Sequence, residues 1–185
     1  MAEGHRPHLA IARSARFAPL LQRARLHTRM FAGLVGGAST VPRAGSMDAK
    51  VAEFARRYEA MGLQGTPASP DEVASLERQL GVMFPAAYKA FLFVLGRDGG
   101  PDFIGSDCTI RHLPKLREWA EGLLRECGSQ YTLPEKAFVF FMHQGYSFLY
   151  FVADQSSEDP AVYAYVEGDS APVKKAESFT AWLSL

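Results

Sequence analysis

The sequence predicts an α+β fold in which N-terminal helices pack on an antiparallel β-meander that is followed by a short C-terminal helix. Apolar residues between 48 and 127 recur at helical spacing, whereas residues 137–166 contain short segments rich in Phe, Tyr and Val. Helical segments come first and strand segments later, which favours α+β over alternating α/β. With 185 residues, of which 48% are hydrophobic, the chain suits one globular domain with an extension.

Four helices are predicted before the strands. The first begins at Asp48 and ends at Gly62. The second has the strongest signals, because residues 69–72 (Ser-Pro-Asp-Glu) supply an N-cap, a proline in the first turn and a Ser-x-x-Glu capping box. Phe84-Pro85 starts the third helix. Leu113-Pro114 introduces the fourth, whose apolar side is expected to include Trp119 along with Leu116, Leu123, Leu124 and Cys127.

The strands are expected at residues 137–142, 148–152 and 161–166, with an edge strand at 173–176. The last segment reads Val-Lys-Lys-Ala, and its lysines would protect an exposed edge. Ser178 is expected to cap a final helical turn that contains Trp182. Since the strands are apolar on both faces, helices must cover the sheet from both sides.

The first 46 residues differ from the rest in charge. They hold seven arginines and one glutamate, a formal charge of +6, which leaves 13 basic and 19 acidic residues, a charge of −6, in residues 47–185. Residues 33–46 have the composition of a flexible linker. We therefore predict a domain at 47–185, preceded by a basic, poorly ordered extension or the product of an upstream start codon. The alternative is a basic amphipathic targeting or membrane-surface helix.

A family resemblance lies in the matched spacing of several short motifs. Residues 68–92, followed by Asp98-Gly-Gly100, resemble the opening signature of the SUKH superfamily, the Smi/Knr-type domains; the matching positions are Leu76-Glu77, Leu80-Gly81, Phe84-Pro85, Tyr88 and Phe91-Leu92. Residues 160–165 and 177–183 are similar to the family's Val-Tyr strand and closing helix. Asp98 stands where the family has Asn, and Trp182 where it has Phe.

The resemblance implies a SUKH-like fold and a protein-binding function. Bacterial members of the superfamily resemble immunity proteins that neutralise polymorphic toxins, often nucleases, and fungal relatives act as protein-binding regulators of cell-wall synthesis. We therefore expect a non-enzymatic immunity protein; the alternative is an intracellular scaffold or regulatory module of the Smi/Knr type. Fourteen Arg against six Lys, and no Asn, indicate a GC-rich, bacterial genome. Two cysteines, the lack of a secretory pattern and the lack of a long apolar run predict a cytoplasmic protein.

Candidate catalytic and metal-binding patterns are weak. Cys108 could act as a nucleophile with His112 or His143 as its base, but no local signature supports the pairing. The same residues with Cys127 lack the paired spacing of zinc sites. Residues 96–105 are rich in glycine but lack the Lys-Ser/Thr ending of a phosphate-binding loop. We expect no catalytic, cofactor or metal residues, and a hydrolase that uses Cys108 or His143 is the most distant alternative.

Acidic residues are the most informative candidates for binding. Asp98, Asp102 and Asp107 fall in the glycine-rich region with Phe103 among them, and a second acidic cluster lies at residues 154–159. Acidic residues on a solvated surface require no functional explanation. The functional interpretation is that the first cluster binds a cationic protein toxin encoded nearby, with the aromatic ring as anchor. The charge of −6 disfavours nucleic acid as a partner of the domain, and we expect no membrane partner.

We predict that deleting residues 1–46 leaves the fold intact, because the composition breaks at Met47 and helix signals begin only at Asp48. The midpoint of thermal unfolding, measured by circular dichroism, should be nearly unchanged. A fall of several degrees would show instead that the arm packs on the domain.

Overall fold

The computed structural model describes residues 49, 51–53, 55, 56, 59, 60, 65–99 and 103–184, and it confirms the α+β prediction. The elements are α1 (Pro70–Leu80), α2 (Ala86–Leu95), β1 (Ser106–Asp107), α3 (Leu113–Glu126), β2 (Ala137–His143), β3 (Ser147–Val152), β4 (Val162–Val166), β5 (Val173–Ala176) and α4 (Phe179–Trp182). The described residues from 49 to 60 are helical, and Val51 is buried. The predicted arm at 1–46 lies outside the described residues.

Helix α1 begins with the predicted capping box. The Ser69 hydroxyl accepts a hydrogen bond from the Glu72 backbone N–H (3.3 Å), and the Glu72 carboxylate accepts one from the Ser69 N–H (2.8 Å). Glu72 also lies 2.8 Å from the Arg97 guanidinium, beyond the end of α2. Arg97 and then Ser69 lower the pKa of Glu72 from its ordinary value of 4.5 to about 2. The first turn of α1 is thereby tied to the segment that follows α2.

Helix α2 takes its cap from a distant part of the chain. Its capping position is Pro85, which makes no side-chain hydrogen bond. Instead the Glu158 carboxylate accepts from the Ala86 N–H (2.8 Å), and the Glu158 carbonyl accepts from the Ala87 N–H (3.0 Å). A carboxylate at this end also complements the helix dipole. The connection between β3 and β4 therefore holds the start of α2 in place.

The next residue of that connection fixes α4. Asp159 accepts hydrogen bonds from the backbone N–H (2.9 Å) and the hydroxyl of Thr180. The Ser178 hydroxyl caps the same helix by accepting from the Ala181 N–H (3.1 Å), as predicted. Two members of the second acidic cluster, Glu158 and Asp159, thus serve the packing of helices.

In the described part of the chain the strands form one antiparallel sheet in the order β1-β2-β3-β4-β5, a meander with β5 at an edge. The pairing of β2 with β3 shifts register between Val139 and Phe141, so β2 carries a bulge at Phe140. A bulge changes the alternation of side chains. As a result, neighbouring residues Phe140 and Phe141 both contact the Trp182 ring, at centroid distances of 5.2 and 6.2 Å.

One face of the sheet packs on α2 and α4 around Tyr88, which is fully buried. Its ring centroid lies 5.2 to 6.1 Å from those of Phe84, Phe91, Phe138, Phe140, Phe151 and Phe179. Trp182 joins the same cluster through Phe140 and Phe179. These contacts confirm the prediction that the meander and Trp182 share a core with α2.

Helix α3 packs against the sheet through the buried residues Leu116, Ala120 and Leu124. Trp119, predicted on this buried side, is 40% exposed, so that assignment is wrong. The reason is angular: at about 100° per residue, Trp119 lies at the margin of the apolar stripe, roughly 90° from its centre. The helix is covered along its apolar stripe and leaves the indole at the margin partly exposed.

We predict that Phe91→Ala lowers the free energy of unfolding by about 3–5 kcal/mol, because a ring that is only 2% exposed would leave a cavity. Phe93→Ala is the matched control on the same helix, since Phe93 is 41% exposed. Chemical denaturation of both variants measures the difference. A cost at Phe91 within about 0.5 kcal/mol, typical of a surface site, would contradict the packing described here.

Candidate protein-binding site

The acidic loop, residues 98–107, follows α2, ends in β1 and is anchored where it begins. Gly96 accepts a hydrogen bond at its carbonyl from the Ile110 N–H (2.8 Å), and the Arg97 N–H donates to the Thr66 carbonyl (2.9 Å). Asp98 forms an isolated antiparallel bridge with Thr66. Backbone contacts with Thr66 and Ile110 thus fix the position at which the loop begins.

The far end of the acidic loop pairs with the β2–β3 hairpin. Ser106 lies opposite His143, and the Ser106 hydroxyl is 2.8 Å from His143 Nδ1. The Gly105 carbonyl accepts from the Gln144 N–H (3.1 Å). Gln144 and Gly145, in the hairpin turn, have φ of 45° and 77°, as tight hairpins require. A loop held in this way on rigid elements is a common setting for binding residues.

A close approach of side chains explains the glycine at position 99. A Cβ atom at this position would lie 2.9 Å from the Cβ of Phe103 and 3.0 Å from the Sγ of Cys108. Neither distance is compatible with ordinary packing, so any larger residue would push the loop outward. Gly99 therefore allows Phe103 to fold back over the chain.

The structure turns one predicted binding residue inward. The Phe103 ring is half-buried, with its centroid 6.1 Å from both the Phe91 and the Phe141 rings, so it supports the acidic loop from within. Its neighbour Ile104, which sequence reasoning missed, is 76% exposed. The only sequence signal for Ile104 is its place beside Phe103 in a turn, and this signal does not show which of the two residues faces solvent.

The predicted acids are distributed around Ile104 along the chain. Asp98 is exposed. Asp107 is half-buried, with Oδ1 3.3 Å from His112 Nδ1. Asp102 lies outside the described residues. The described part of the acidic loop therefore offers one exposed apolar side chain between two aspartates.

The candidate nucleophile Cys108 is poorly suited to catalysis. It is 2% exposed, and burial, with a smaller effect of Asp107 and Asp98, raises the pKa of its thiol from 9.0 to about 12. Burial also lowers the pKa of His143, whose Nδ1 contacts Ser106. Within the described residues, no group of three or more His, Cys, Asp or Glu side chains is placed to hold a metal ion.

A cleft of about 750 Å³ lies between the end of α1, the start of α3, the start of β2 and the β3–β4 connection. Its charged lining residues carry both signs: Glu77, Arg78, Arg117, Glu135, Lys136 and Asp154. Arg117 is engaged within the fold, because it contacts Glu121 at 2.9 Å and donates to the Ala137 carbonyl at 2.8 Å. This balance of charge favours no particular ligand.

A sequence profile of the SMI1 / KNR4 family (SUKH-1) matches residues 67–185. The chain belongs to this family. The matched range contains every element of this SUKH domain from α1 to α4, whereas residues 47–66 lie outside it, so the boundary at Met47 remains a prediction. No curated protein matches the sequence. In the described part of the chain, no helix has the length and apolar character needed to cross a membrane.

We predict that the Cys108 thiol resists alkylation in the folded protein. At a pH of about 8, a thiol with a pKa near 12 has roughly 1000-fold less thiolate than one with a pKa of 9.0. Iodoacetamide should therefore label Cys108 in a Cys127→Ser variant far more slowly than a model peptide, because its thiolate is scarce and its sulfur is buried. The Cys108→Ser variant, in which the half-buried Cys127 remains, is the matched control. Rapid labelling of Cys108 would restore it as a candidate nucleophile.

Proposed function

We propose that this SUKH domain is a non-enzymatic protein-binding domain that acts in a bacterial cytoplasm as an immunity protein against a cationic toxin, such as a nuclease encoded nearby. The observation that carries the proposal is the 76% exposure of Ile104 in the acidic loop. An isolated apolar side chain on a surface needs no explanation by itself. Ile104, however, lies on a loop that is anchored at both ends and carries acids on either side.

Ile104 and the anchored loop favour affinity for two physical reasons. Complete burial of an Ile side chain contributes about 1.5–3 kcal/mol, so Ile104 has much of this free energy left to gain on binding. The described ends of the acidic loop are held by Thr66, His143 and Gln144, so a partner would immobilise little additional backbone at these ends.

The charge of the domain favours a basic partner. Residues 47–185 carry a formal charge of −6, and Asp98 and Asp107 stand on either side of Ile104 in the sequence. A nuclease has to present basic groups to bind phosphates. Opposite charge accelerates association and fixes the orientation of the two proteins. An acidic inhibitor of such an enzyme would cover the surface that binds its substrate.

The second candidate is an intracellular scaffold or regulatory module of the Smi/Knr type. The mixed-charge cleft beside α1 and α3 favours it, because this cleft is a concave surface separate from the acidic loop and without a bias toward cationic partners. The gene neighbourhood separates the two candidates: an adjacent toxin gene supports immunity, and an isolated gene supports the scaffold.

We predict that co-expression of this protein rescues cells from the toxin encoded by the neighbouring gene, and that Asp98→Lys combined with Asp107→Lys removes the protection. The double variant replaces two attractive charges by repulsive ones, so association should slow and the complex should become less sensitive to salt. Survival of the culture and surface plasmon resonance at two ionic strengths measure these effects. Ile104→Ala should accelerate dissociation with little change in the association rate.

The matched control is Glu135→Lys combined with Glu177→Lys, which changes the net charge equally at exposed positions outside the acidic loop. This control should retain protection. Thermal unfolding of each variant separates loss of binding from loss of folding, which matters because Asp107 contacts His112. Equal killing with and without the wild-type protein would refute the immunity role, and protection by the Asp98/Asp107 variant would refute this face.

A further inference from the structure

The outward face of α3 carries a glycine that nothing in the described structure explains. Gly122 lies in the interior of Leu113–Glu126, where glycine weakens a helix relative to alanine. A Cβ atom at this position would meet only Arg125 Nη2, at 3.9 Å, so no packing inside the domain demands its absence. Three residues earlier stands Trp119, 40% exposed. The helix thus presents a large apolar ring beside a position that has no side chain.

The charges around Gly122 are arranged in two opposite pairs. On a helical wheel, Lys115 and Glu126 lie about 20–40° to one side of Gly122, and Glu118 and Arg125 lie about 40–60° to the other. On the first side Lys115 comes before Glu126 along the helix, and on the second side Glu118 comes before Arg125. A helix that runs in the opposite direction presents each side in reverse order. An acid then lies where the first helix has a base, and a base where it has an acid.

We propose that this face binds a second copy of the same chain, with the two α3 helices antiparallel about a two-fold axis. Such an axis places the same side of each helix together in reversed order. Lys115 then faces Glu126 of the second copy, and Glu118 faces Arg125 of the second copy. In an antiparallel pair, the mean of two facing residue numbers shows where along the helix the two-fold axis crosses. For these two charge pairs, and for Trp119 with Gly122, this mean lies between 120 and 122. One alignment of the two helices therefore allows all three contacts.

Each component of this interface has a physical role. The indole of Trp119 would pack into the gap above Gly122 of the second copy, where the missing side chain permits close approach, and Trp is a frequent anchor of interfaces. Among the described residues, Arg125 and Glu126 make no ion pair within their own chain. Lys115 contacts Glu118 at 3.3 Å, but both side chains are more than 60% exposed, so this pair contributes little and can exchange partners.

The interface consists mainly of one helix from each copy, so it belongs with small, weak interfaces, and the dimer should dissociate on dilution. This inference concerns self-association and does not depend on toxin binding. The test is sedimentation equilibrium of the full 185-residue chain between about 1 and 200 µM, a range that covers weak dissociation constants.

The wild-type chain should show a monomer–dimer equilibrium. Glu118→Arg alone and Arg125→Glu alone should each raise the dissociation constant at least about tenfold, because each puts two like-charged pairs into the interface. The combined variant carries both changes and restores opposite charges, so its dissociation constant should return to within about threefold of wild type. Glu135→Arg, an exposed reversal outside α3, is the control and should leave the constant unchanged.

Gly122→Leu gives a second, sterically based test. Leucine favours helix over glycine, so the monomer should unfold at the same or a higher temperature while the dimer is lost. In a Trp182→Phe background Trp119 is the remaining tryptophan, and its emission should shift to shorter wavelength as the wild-type dimer forms. A chain that is monomeric up to the highest concentration, single reversals without effect, or a combined variant that fails to recover would each overturn the proposal.

Discussion

The packing of α2 on the sheet through Tyr88 is the contact on which the other parts of the fold depend. The ring is fully buried among aromatic side chains from two strands and from α4, so both sheet and C-terminal helix take their position from it. Helix α2 lacks a cap of its own and relies on Glu158, which the β3–β4 connection delivers only when the sheet has formed. The end of α2 leads directly into the acidic loop, and Phe91 contacts Phe103 inside that loop. The aromatic cluster thus determines where the candidate binding surface lies.

Sequence reasoning predicted the features that depend on near neighbours in the chain. The capping box at Ser69, the aromatic strands and the Ser178 cap are all local, because the interacting groups lie within a few residues of one another. The cap of α2 could not be found in this way, since Glu158 is 72 residues from Ala86 and nothing in its vicinity marks it as a cap. Strand β1 was missed because two residues are too few to show a period. Trp119 was misplaced because a large apolar residue at the margin of a helical stripe can face either side.

The candidate site shows the same division between local and distant causes. The composition of the acidic loop, including Asp98 and Asp107, can be read from the sequence. Which of Phe103 and Ile104 faces solvent cannot, because the choice depends on Gly99, which leaves room for Phe103, and on the aromatic ring of Phe141 on a later strand. Neighbouring residues in a turn have no fixed alternation, so the chain pattern alone is neutral between them. The exposure of Ile104 is therefore a result of tertiary packing, and it makes Ile104 rather than Phe103 the apolar side chain available to the proposed partner.

The acidic loop and the outward face of α3 differ in their charge patterns, and the partners proposed for them differ accordingly. The acidic loop carries aspartates, of which Asp98 is exposed and Asp107 lies 3.3 Å from His112. Two copies of an acidic loop repel one another, so the partner proposed for this surface is a basic protein and not a second copy. The face of α3 carries equal numbers of acids and bases in an order that a two-fold axis matches to itself, and it gives no advantage to a cationic partner. A dimer built on α3 would use charges that the acidic loop does not share, so binding of a partner and pairing of copies need not compete for the same electrostatic contacts.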